Sequence, residues 1–223
     1  MLDGRARPLA ARLLGPLGAG PLATVPPLLL TAVGLSIGLG ASLAAANRWW
    51  SLALAGWLLN RFVDGLDGLV ARRAGRTSDV GGYLDMCADV VVYAAVPLGV
   101  AWGIDRRSVW IAAAFLVASF YVNIVSWSYL AALLEKRAVG ARSRGEVTSI
   151  AMPRGLIEGT ETIVWFSVIL IIPGASPWTM GSMAGAVALS AVGHVIAGAR
   201  LLGADGLLSA DVAVAGEDDV NGE

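Results

Sequence analysis

Four aspartates between residues 64 and 89 are the part of this sequence best suited to chemistry: Asp64, Asp67, Asp85 and Asp89. The first two are three residues apart and the last two are four apart, so on a helix each pair presents its carboxylates on one face. Clustered carboxylates require a counter-charge, and oxygen ligands favour a hard cation such as Mg²⁺ or Mn²⁺ over zinc. We therefore predict a site for two divalent ions bridged by shared aspartates, a common arrangement for handling phosphates.

The residues just after Asp67 are suited to binding a diphosphate beside that metal site. Gly68 and Ala71 are small, so they leave room for a ligand to approach the backbone. Arg72 carries a rigid guanidinium that can hold a phosphate oxygen better than a lysine would. Carboxylates for metal ions, small residues for space and an arginine for phosphate together predict a diphosphate site.

The elements that must position these residues are transmembrane helices. Of the 223 residues, 57% are hydrophobic and 15% are charged, whereas about a quarter are charged in an ordinary soluble domain. The mean hydropathy is +0.70, and apolar runs of about twenty residues, each long enough to cross a bilayer, recur. We predict an all-α integral membrane protein with six transmembrane helices at residues 28–46, 49–71, 80–104, 108–133, 155–173 and 178–202.

The connection between the second and third spans is expected to bring the aspartates together. Residues 72–81 form a basic, Gly-containing turn, and Asp79 falls within it. Such a short turn would place the two helices antiparallel, with one aspartate pair at the end of span two and the other at the start of span three. All four carboxylates would then meet at one depth.

The segments that flank the six-span domain (26–202) differ from it in composition. Residues 1–25 mix arginines with leucines, which predicts an N-terminal amphipathic helix lying in the membrane interface. Residues 203–223 are acidic and Gly-rich, which predicts a disordered tail. The basic residues of loops and termini divide twelve to three between the two sides. This bias predicts a multi-pass cell-membrane protein whose termini and aspartate site are cytoplasmic.

Together these residues resemble the signature of the CDP-alcohol phosphotransferases, integral membrane enzymes of phospholipid head-group synthesis. The signature reads Asp64-x2-Asp67-Gly68-x2-Ala71-Arg72-x8-Gly81-x3-Asp85-x3-Asp89, with every position matched. The resemblance covers residues 25–202. It implies transfer of a phosphatidyl group from CDP-diacylglycerol, or a related CDP-lipid, to an alcohol acceptor with release of CMP.

The resemblance also implies roles for the aspartates. Asp64, Asp67 and Asp85 would hold the metal ions, while Asp89 would complete the second metal site and act as the general base. A general base must lie within hydrogen-bond reach of the hydroxyl whose proton it removes. We therefore expect Asp89 to face the bound acceptor.

Further positions would contact the CDP-lipid if the resemblance holds. Gly68, Arg72 and Ser78 correspond to positions that contact the CDP moiety, and Gly81 would let the nucleotide lie close to the backbone. One departure concerns a Pro-Asn pair that many family members carry before the first span, followed by a threonine. Thr31 can be aligned with that threonine, but the asparagine is missing, which bears on cytidine contact and leaves the core chemistry unchanged.

The acceptor is less clearly encoded than the donor. Arg154 and Arg200 lie at predicted helix ends that could face the cavity, and they suit a phosphorylated polyol such as glycerol phosphate or inositol phosphate. Glu158 and Glu161 begin the fifth span, three residues apart. They could orient Arg154, or they could bind a cationic or polyhydroxy acceptor, so an acceptor of the serine, ethanolamine or choline type stays open.

Polar and small residues in the later spans have more ordinary interpretations. His194 and Asn123 are expected to pack or to hydrogen-bond between helices, although Asn123 could line the cavity. Small residues such as Gly34 and Gly181 allow close helix packing and are compatible with a homodimer. Membrane lipids are expected partners, and we predict no nucleic-acid partner.

Two other classes of membrane protein use intramembrane aspartates. A cation transporter would spread acidic residues along the depth of the bilayer, whereas these cluster near one side beside an arginine. Intramembrane prenyltransferases carry denser acidic boxes on two helix pairs, and this sequence has no second box of that kind. Both alternatives are therefore less favoured than the phosphatidyl transferase.

Overall fold

The structure is a computed structural model that describes residues 25–73, 75, 77–136 and 159–218. These residues form six α-helices and the short segments that connect them. They are α1 (Pro27–Ala46), α2 (Trp50–Arg73), α3 (Asp79–Ile104), α4 (Arg107–Lys136), α5 (Gly159–Ile171) and α6 (Ser176–Asp218), with a short 3₁₀ turn at Pro173–Ala175. These residues contain no strand, so the all-α prediction is confirmed for them.

Among the described residues, four helical segments are long and apolar enough to cross a membrane: α1, α3, α4 and Pro173–Gly203, which includes the first part of α6. Helix α5 is apolar but shorter, with 13 residues. Helix α2 has 24 residues and carries the charged residues of the site, which lower its hydropathy. Each of the six helices nevertheless overlaps one of the six segments expected from the sequence.

The helix bounds differ from the predicted ones at the start of α3 and at the end of α6. Asp79 begins α3 instead of lying in the connection, because the Ser78 side chain accepts a hydrogen bond from the Gly81 backbone N–H at 3.1 Å and caps the helix. Helix α6 continues to Asp218, whereas composition predicted disorder from residue 203; alanines and leucines in this stretch favour the helix. The interfacial helix predicted for residues 1–25 lies outside the described residues, apart from Val25.

Helix α1 packs closely against both aspartate-bearing helices, α2 and α3. A Cβ atom at Gly99 would overlap the backbone of Ser42, and one at Gly103 would overlap that of Ala45. The Ser42 hydroxyl also donates to the Ala95 carbonyl oxygen at 2.6 Å. These contacts show that α1 and α3 run parallel in close contact, which is possible only because both glycines lack a side chain.

Helices α2 and α3 run antiparallel, as the short connection predicted, but they do not pack closely on one another. Side chains bridge them instead: Arg61 reaches Asp89, and the rings of Trp57 and Tyr93 lie 6.1 Å apart. Both helices are therefore held mainly by α1, and the space between them forms a cavity.

The second half of the bundle is built on α4 and α6, which are closely packed along their length. The Leu130 side chain lies against Gly198, while Arg106 donates to the Gly174 carbonyl oxygen at 3.3 Å. An aromatic cluster of four residues joins this half to the first: Trp57, Tyr93, Phe120 and Phe166. The buried core thus extends from α2 and α3 through α5 to α4.

Candidate active site

All four predicted aspartates line one small cavity between α1, α2 and α3. Its lining residues are Thr31, Gly34, Leu35, Asn60, Arg61, Asp64, Asp67, Asp85, Ala88, Asp89 and Val92. The free space is about 10 Å³, enough for about one water molecule. Asp64 interacts electrostatically with both Asp89 and Asp85. Residues far apart in the sequence are therefore brought together at one point, as the helical spacing predicted.

Asp67 is the most buried of the four, with 5% of its surface exposed. The Thr31 hydroxyl of α1 lies 2.9 Å from Asp67 Oδ2 and 3.2 Å from the Pro27 carbonyl oxygen. This hydrogen bond links α1 to α2 and fixes one carboxylate oxygen. Thr31, which the sequence placed among cytidine contacts, here contacts an aspartate of the predicted metal site.

Arg61 is the main counter-charge within the cavity, and the sequence analysis overlooked it. Its Nη2 atom lies 2.7 Å from Asp89 Oδ1, and its Nη1 atom lies 3.6 Å from Asp64 Oδ2. The Arg61 side chain is 6% exposed, against 30% for each carboxylate. Arg61 therefore pairs with the predicted general base across the gap between α2 and α3.

The surroundings of Arg61 hold it in this position. Its guanidinium carbon lies 5.0 Å from the centre of the Trp57 ring and 5.1 Å from that of Tyr93. Arg61 Nε donates to the Asn60 side-chain oxygen at 2.8 Å, and the Asn60 amide donates to the Gly34 carbonyl oxygen at 2.8 Å. Arg61 Nη1 also donates to the Tyr93 hydroxyl at 3.2 Å. Two cation–π contacts and these hydrogen bonds leave the guanidinium little freedom.

A sequence signal for Arg61 did exist. An ionisable residue inside an apolar span is a functional candidate by default, because its burial in hydrocarbon is costly. Arg61 lies one helical turn before Asp64, so the two side chains share a face of α2. Its pairing with Asp89 depends on how α1 holds α3, which no local pattern encodes.

The residues of the cavity fit a divalent cation by their chemistry. Within the described residues, no three acidic, histidine or cysteine side chains are arranged to hold a metal ion as they stand. Arg61 bonds to Asp89 Oδ1 and Thr31 bonds to Asp67 Oδ2, so two of the oxygens that could bind a metal ion already have hydrogen-bond partners. However, four carboxylates facing one guanidinium leave a formal charge of -3 in the cavity. An all-oxygen set with this excess charge suits Mg²⁺ or Mn²⁺.

Apart from Thr31, the predicted CDP-contacting residues do not line the cavity. On α2, Gly68 and Ala71 are half-buried and Arg72 is exposed; a Cβ at Gly68 would lie 3.1 Å from Arg72 Nη1. On α3, Gly81 is half-buried and Ser78 is exposed at the helix N-terminus. The residues on α2 follow Asp67 at the C-terminal end of that helix, and those on α3 precede Asp85 at the N-terminal end of that helix.

The predicted acceptor residues are only partly described. Arg154 and Glu158 lie outside the described residues. Glu161 is half-buried in the first turn of α5, and Arg200 is exposed on α6. Neither of these two lines the aspartate cavity.

Comparisons with known proteins agree with this architecture. The family model of CDP-alcohol phosphatidyltransferases matches residues 23–195. The inner membrane protein YnjF of Escherichia coli (strain K12) is 36% identical over 159 residues, which is 67% of this chain and 76% of that protein. This relative and the several apolar helices indicate a multi-pass membrane protein.

Solved structures share the fold. The phosphatidylinositol phosphate synthase of Mycobacterium tuberculosis with CDP-DAG bound has a TM-score of 0.67 at 22% identity, covering 85% of this chain and 94% of that one. The same enzyme in complex with manganese and citrate has a TM-score of 0.64 at 22% identity, covering 83% and 88%. Because the family model spans most of the sequence and includes every aspartate of the cavity, this chain belongs to the CDP-alcohol phosphatidyltransferases, a family of membrane enzymes that transfer substituted phosphate groups.

Proposed function

We propose that this enzyme transfers a phosphatidyl group from CDP-diacylglycerol to a phosphorylated polyol, such as glycerol phosphate or inositol phosphate, and releases CMP. The observation that carries this proposal is the single cavity lined by Asp64, Asp67, Asp85 and Asp89 in a chain of this family. The Mycobacterium tuberculosis enzyme, which has the same fold, binds CDP-DAG.

Two divalent ions, Mg²⁺ or Mn²⁺, are proposed to bind at the four aspartates. When bound, they would offset the charge of the diphosphate and of the departing CMP. The negative charge of the cavity and its oxygen donors support this assignment, as does manganese in the Mycobacterium tuberculosis enzyme. Thr31 would keep Asp67 oriented through their hydrogen bond.

Asp89 is proposed to act as the general base. The acceptor oxygen would attack the phosphatidyl phosphorus and form a new P–O bond, while the bond from that phosphorus to the CMP oxygen breaks. The acceptor's hydroxyl proton would pass to Asp89. Arg61 binds Asp89 Oδ1 at 2.7 Å, which fixes the carboxylate and leaves Oδ2 outside the ion pair. Arg61 is therefore a positioning residue for the base.

The remaining predicted contacts complete the proposal for the donor. The backbone at Gly68, Ala71 and Gly81 would lie close to CDP, and Arg72 and Ser78 would contact its polar groups. Their placement at the ends of α2 and α3, next to the cavity, supports this role. Thr31 is proposed to contact the CDP-lipid as well as to bond to Asp67.

We also propose which residues bind the acceptor and how the protein is assembled in the membrane. Arg154 and Arg200 would bind the phosphate of the acceptor, and Glu158 and Glu161 would orient Arg154 or bind the hydroxyl groups of the acceptor. The six helices are proposed to be six spans of a homodimeric protein with its site and termini in the cytoplasm, as the basic residues predict. In that orientation CDP would stay in water while the acyl chains stay in the bilayer.

The function can be tested with the purified protein and labelled CDP-diacylglycerol. CMP release would be measured with Mn²⁺ or Mg²⁺ and a panel containing glycerol 3-phosphate, inositol 1-phosphate, serine, ethanolamine and choline. We expect release with a phosphorylated polyol. Asp89→Asn should remove turnover and largely spare donor binding, while Asp79→Asn, an exposed acidic residue on the same helix, serves as the control.

The outcomes separate the alternatives. Release only with serine, ethanolamine or choline would refute the polyol assignment and keep the transferase. Absence of release with every acceptor, from folded protein with metal present, would refute the transferase itself. Near-normal turnover by Asp89→Asn would refute its role as the base.

A further inference from the structure

Three side-chain atoms in the described residues are buried without a hydrogen-bond partner: Asn123 Oδ1 and both ring nitrogens of His194, Nδ1 and Nε2. His194 is 6% exposed. Burying polar atoms without partners is costly, and native structures contain few of them. All three lie on two neighbouring helices, α4 and α6, so they require a common explanation.

The packing of α4 and α6 places the two residues close together. Leu130 of α4 contacts Gly198 of α6, and Arg106, just before α4, bonds to Gly174, just before α6; both pairs differ by 68 in residue number. This constant difference means that the helices run parallel in a fixed register. His194 is then level with residue 126, within one helical turn of Asn123.

Both residues also lie on the faces that these helices bury. On α4, Asn123 lies between the buried Phe120 and Trp127, at spacings of three and four residues. On α6, His194 lies between the buried Ala191 and the tightly packed Gly198, again at spacings of three and four. Residues at such spacings share one helix face. The unpartnered atoms therefore belong to the packed face of each helix.

This pair is at the same depth as the proposed base. The rings of Tyr93 on α3 and Phe120 on α4 stack at 5.7 Å. Helices α3 and α4 run in opposite directions from their short connection. Asp89 lies four residues before Tyr93, and Asn123 lies three residues after Phe120. Because the two helices run in opposite directions, both residues lie about one helical turn from the stacked rings, towards the same end of the bundle.

We propose that Asn123 and His194 form a binding site for the non-reacting hydroxyl groups of the acceptor, which assigns the acceptor to the polyols. This inference rests on the proposed function. An acceptor whose reacting oxygen is near Asp89 would have its further hydroxyls at this depth.

The hydrogen-bonding capacity of the two side chains selects this ligand class. The amide oxygen of Asn123 only accepts hydrogen bonds, and a neutral imidazole offers one donor and one acceptor. Two of the three atoms therefore need a donor and one needs an acceptor; two hydroxyls together supply both donors and also accept, so they can satisfy all three atoms. An ionised phosphate cannot donate, and the trimethylammonium group of choline has no N–H. A ligand with several hydroxyls therefore complements the site best.

The variants Asn123→Leu and His194→Leu test the proposal in the full-length protein. Each removes polar atoms and keeps a side chain of similar size, so the melting temperature without acceptor should be unchanged or higher. The KM for the polyol accepted by the wild type should rise about 5- to 100-fold, as for other lost hydrogen bonds to a substrate hydroxyl. The KM for CDP-diacylglycerol should change little.

Ser119→Ala is the matched control, because Ser119 is a buried polar residue on the same helix whose hydroxyl already bonds to the Leu116 carbonyl oxygen at 2.8 Å. It should leave the acceptor KM unchanged. An unchanged acceptor KM in both leucine variants would overturn the site. Absence of CMP release by the wild type with any acceptor would instead refute the proposed function, so the two failures are distinguishable.

A second measurement needs no variant. Wild-type kcat/KM is compared between an accepted polyol phosphate and analogues that each lack one non-reacting hydroxyl, such as propane-1,3-diol phosphate in place of glycerol 3-phosphate. At least one analogue should react about tenfold or more slowly, because a buried polar group left unpaired is strongly penalised. Equal values for all analogues would overturn the proposal.

Discussion

Replacing Arg61 tests how the site holds its base. Arg61→Met keeps a long apolar side chain between Trp57 and Tyr93 and removes the guanidinium that bonds to Asp89. Without this bond, the Asp89 carboxylate would no longer be fixed at a defined position between α2 and α3. We expect turnover to fall while the donor still binds, since Arg61 is not among the residues proposed to contact CDP.

The magnitude follows from the contact. A hydrogen bond to a charged group contributes about 1.5–3 kcal/mol, which corresponds to a fall in kcat of about 10- to 150-fold. The protein should also be less stable, because four carboxylates lose their counter-charge. This loss should stay below the roughly 3–5 kcal/mol of a fully buried pair, since the Asp64 and Asp89 side chains are each 30% exposed.

Steady-state CMP release gives kcat and KM for CDP-diacylglycerol, and thermal unfolding in detergent gives the stability. Arg61→Lys is the second variant: it keeps the charge, but one ammonium cannot bond to Asp89, Asn60 and Tyr93 in the same planar arrangement. Its kcat should lie between those of the wild type and Arg61→Met. The reasoning is refuted if Arg61→Met keeps a kcat near wild type while Asp89→Asn is inactive, or if only KM changes.

Two further predictions concern helix α1. Thr31→Val removes the hydroxyl that bonds to Asp67 and should raise the concentration of Mn²⁺ needed for half-maximal activity several-fold, with little change in melting temperature; an unchanged metal requirement would contradict this positioning role. Gly99→Ala should lower stability by about 1–3 kcal/mol through overpacking, because the added methyl group meets the Ser42 backbone. Gly40→Ala, where a Cβ meets nothing within 4 Å, is the control, and equal melting temperatures for these two variants would contradict the close packing of α1 and α3.

The sequence allowed the aspartate site to be predicted because its geometry is mostly local. Spacings of three and four residues place each carboxylate pair on one helix face, and a short connection makes the two helices antiparallel. Those two facts bring Asp64 and Asp67 opposite Asp85 and Asp89 without any knowledge of the remaining fold. All four aspartates with this spacing line the cavity.

Contacts between distant segments could not be predicted in the same way. Arg61 lies in the middle of α2, and its local sequence does not indicate which residue of another helix it would pair with. It turns towards Asp89, 28 residues away, because Trp57 and Tyr93 form a slot for its guanidinium. The sequence does contain a signal for the helix cap at Ser78, because a serine just before an acidic first turn commonly begins a helix.

The way α1 contributes explains how the site tolerates its charge. This helix carries no acidic or basic residue, yet it contacts both helices that do. Four carboxylates would drive α2 and α3 apart, and these helices are not closely packed on each other. Glycines at the α1–α3 contact and the Thr31–Asp67 hydrogen bond resist that repulsion from one side, while Arg61 offsets it from within. An electrostatically unfavourable cavity is thus kept open by packing elsewhere, and a bound cation would relieve the charge that remains.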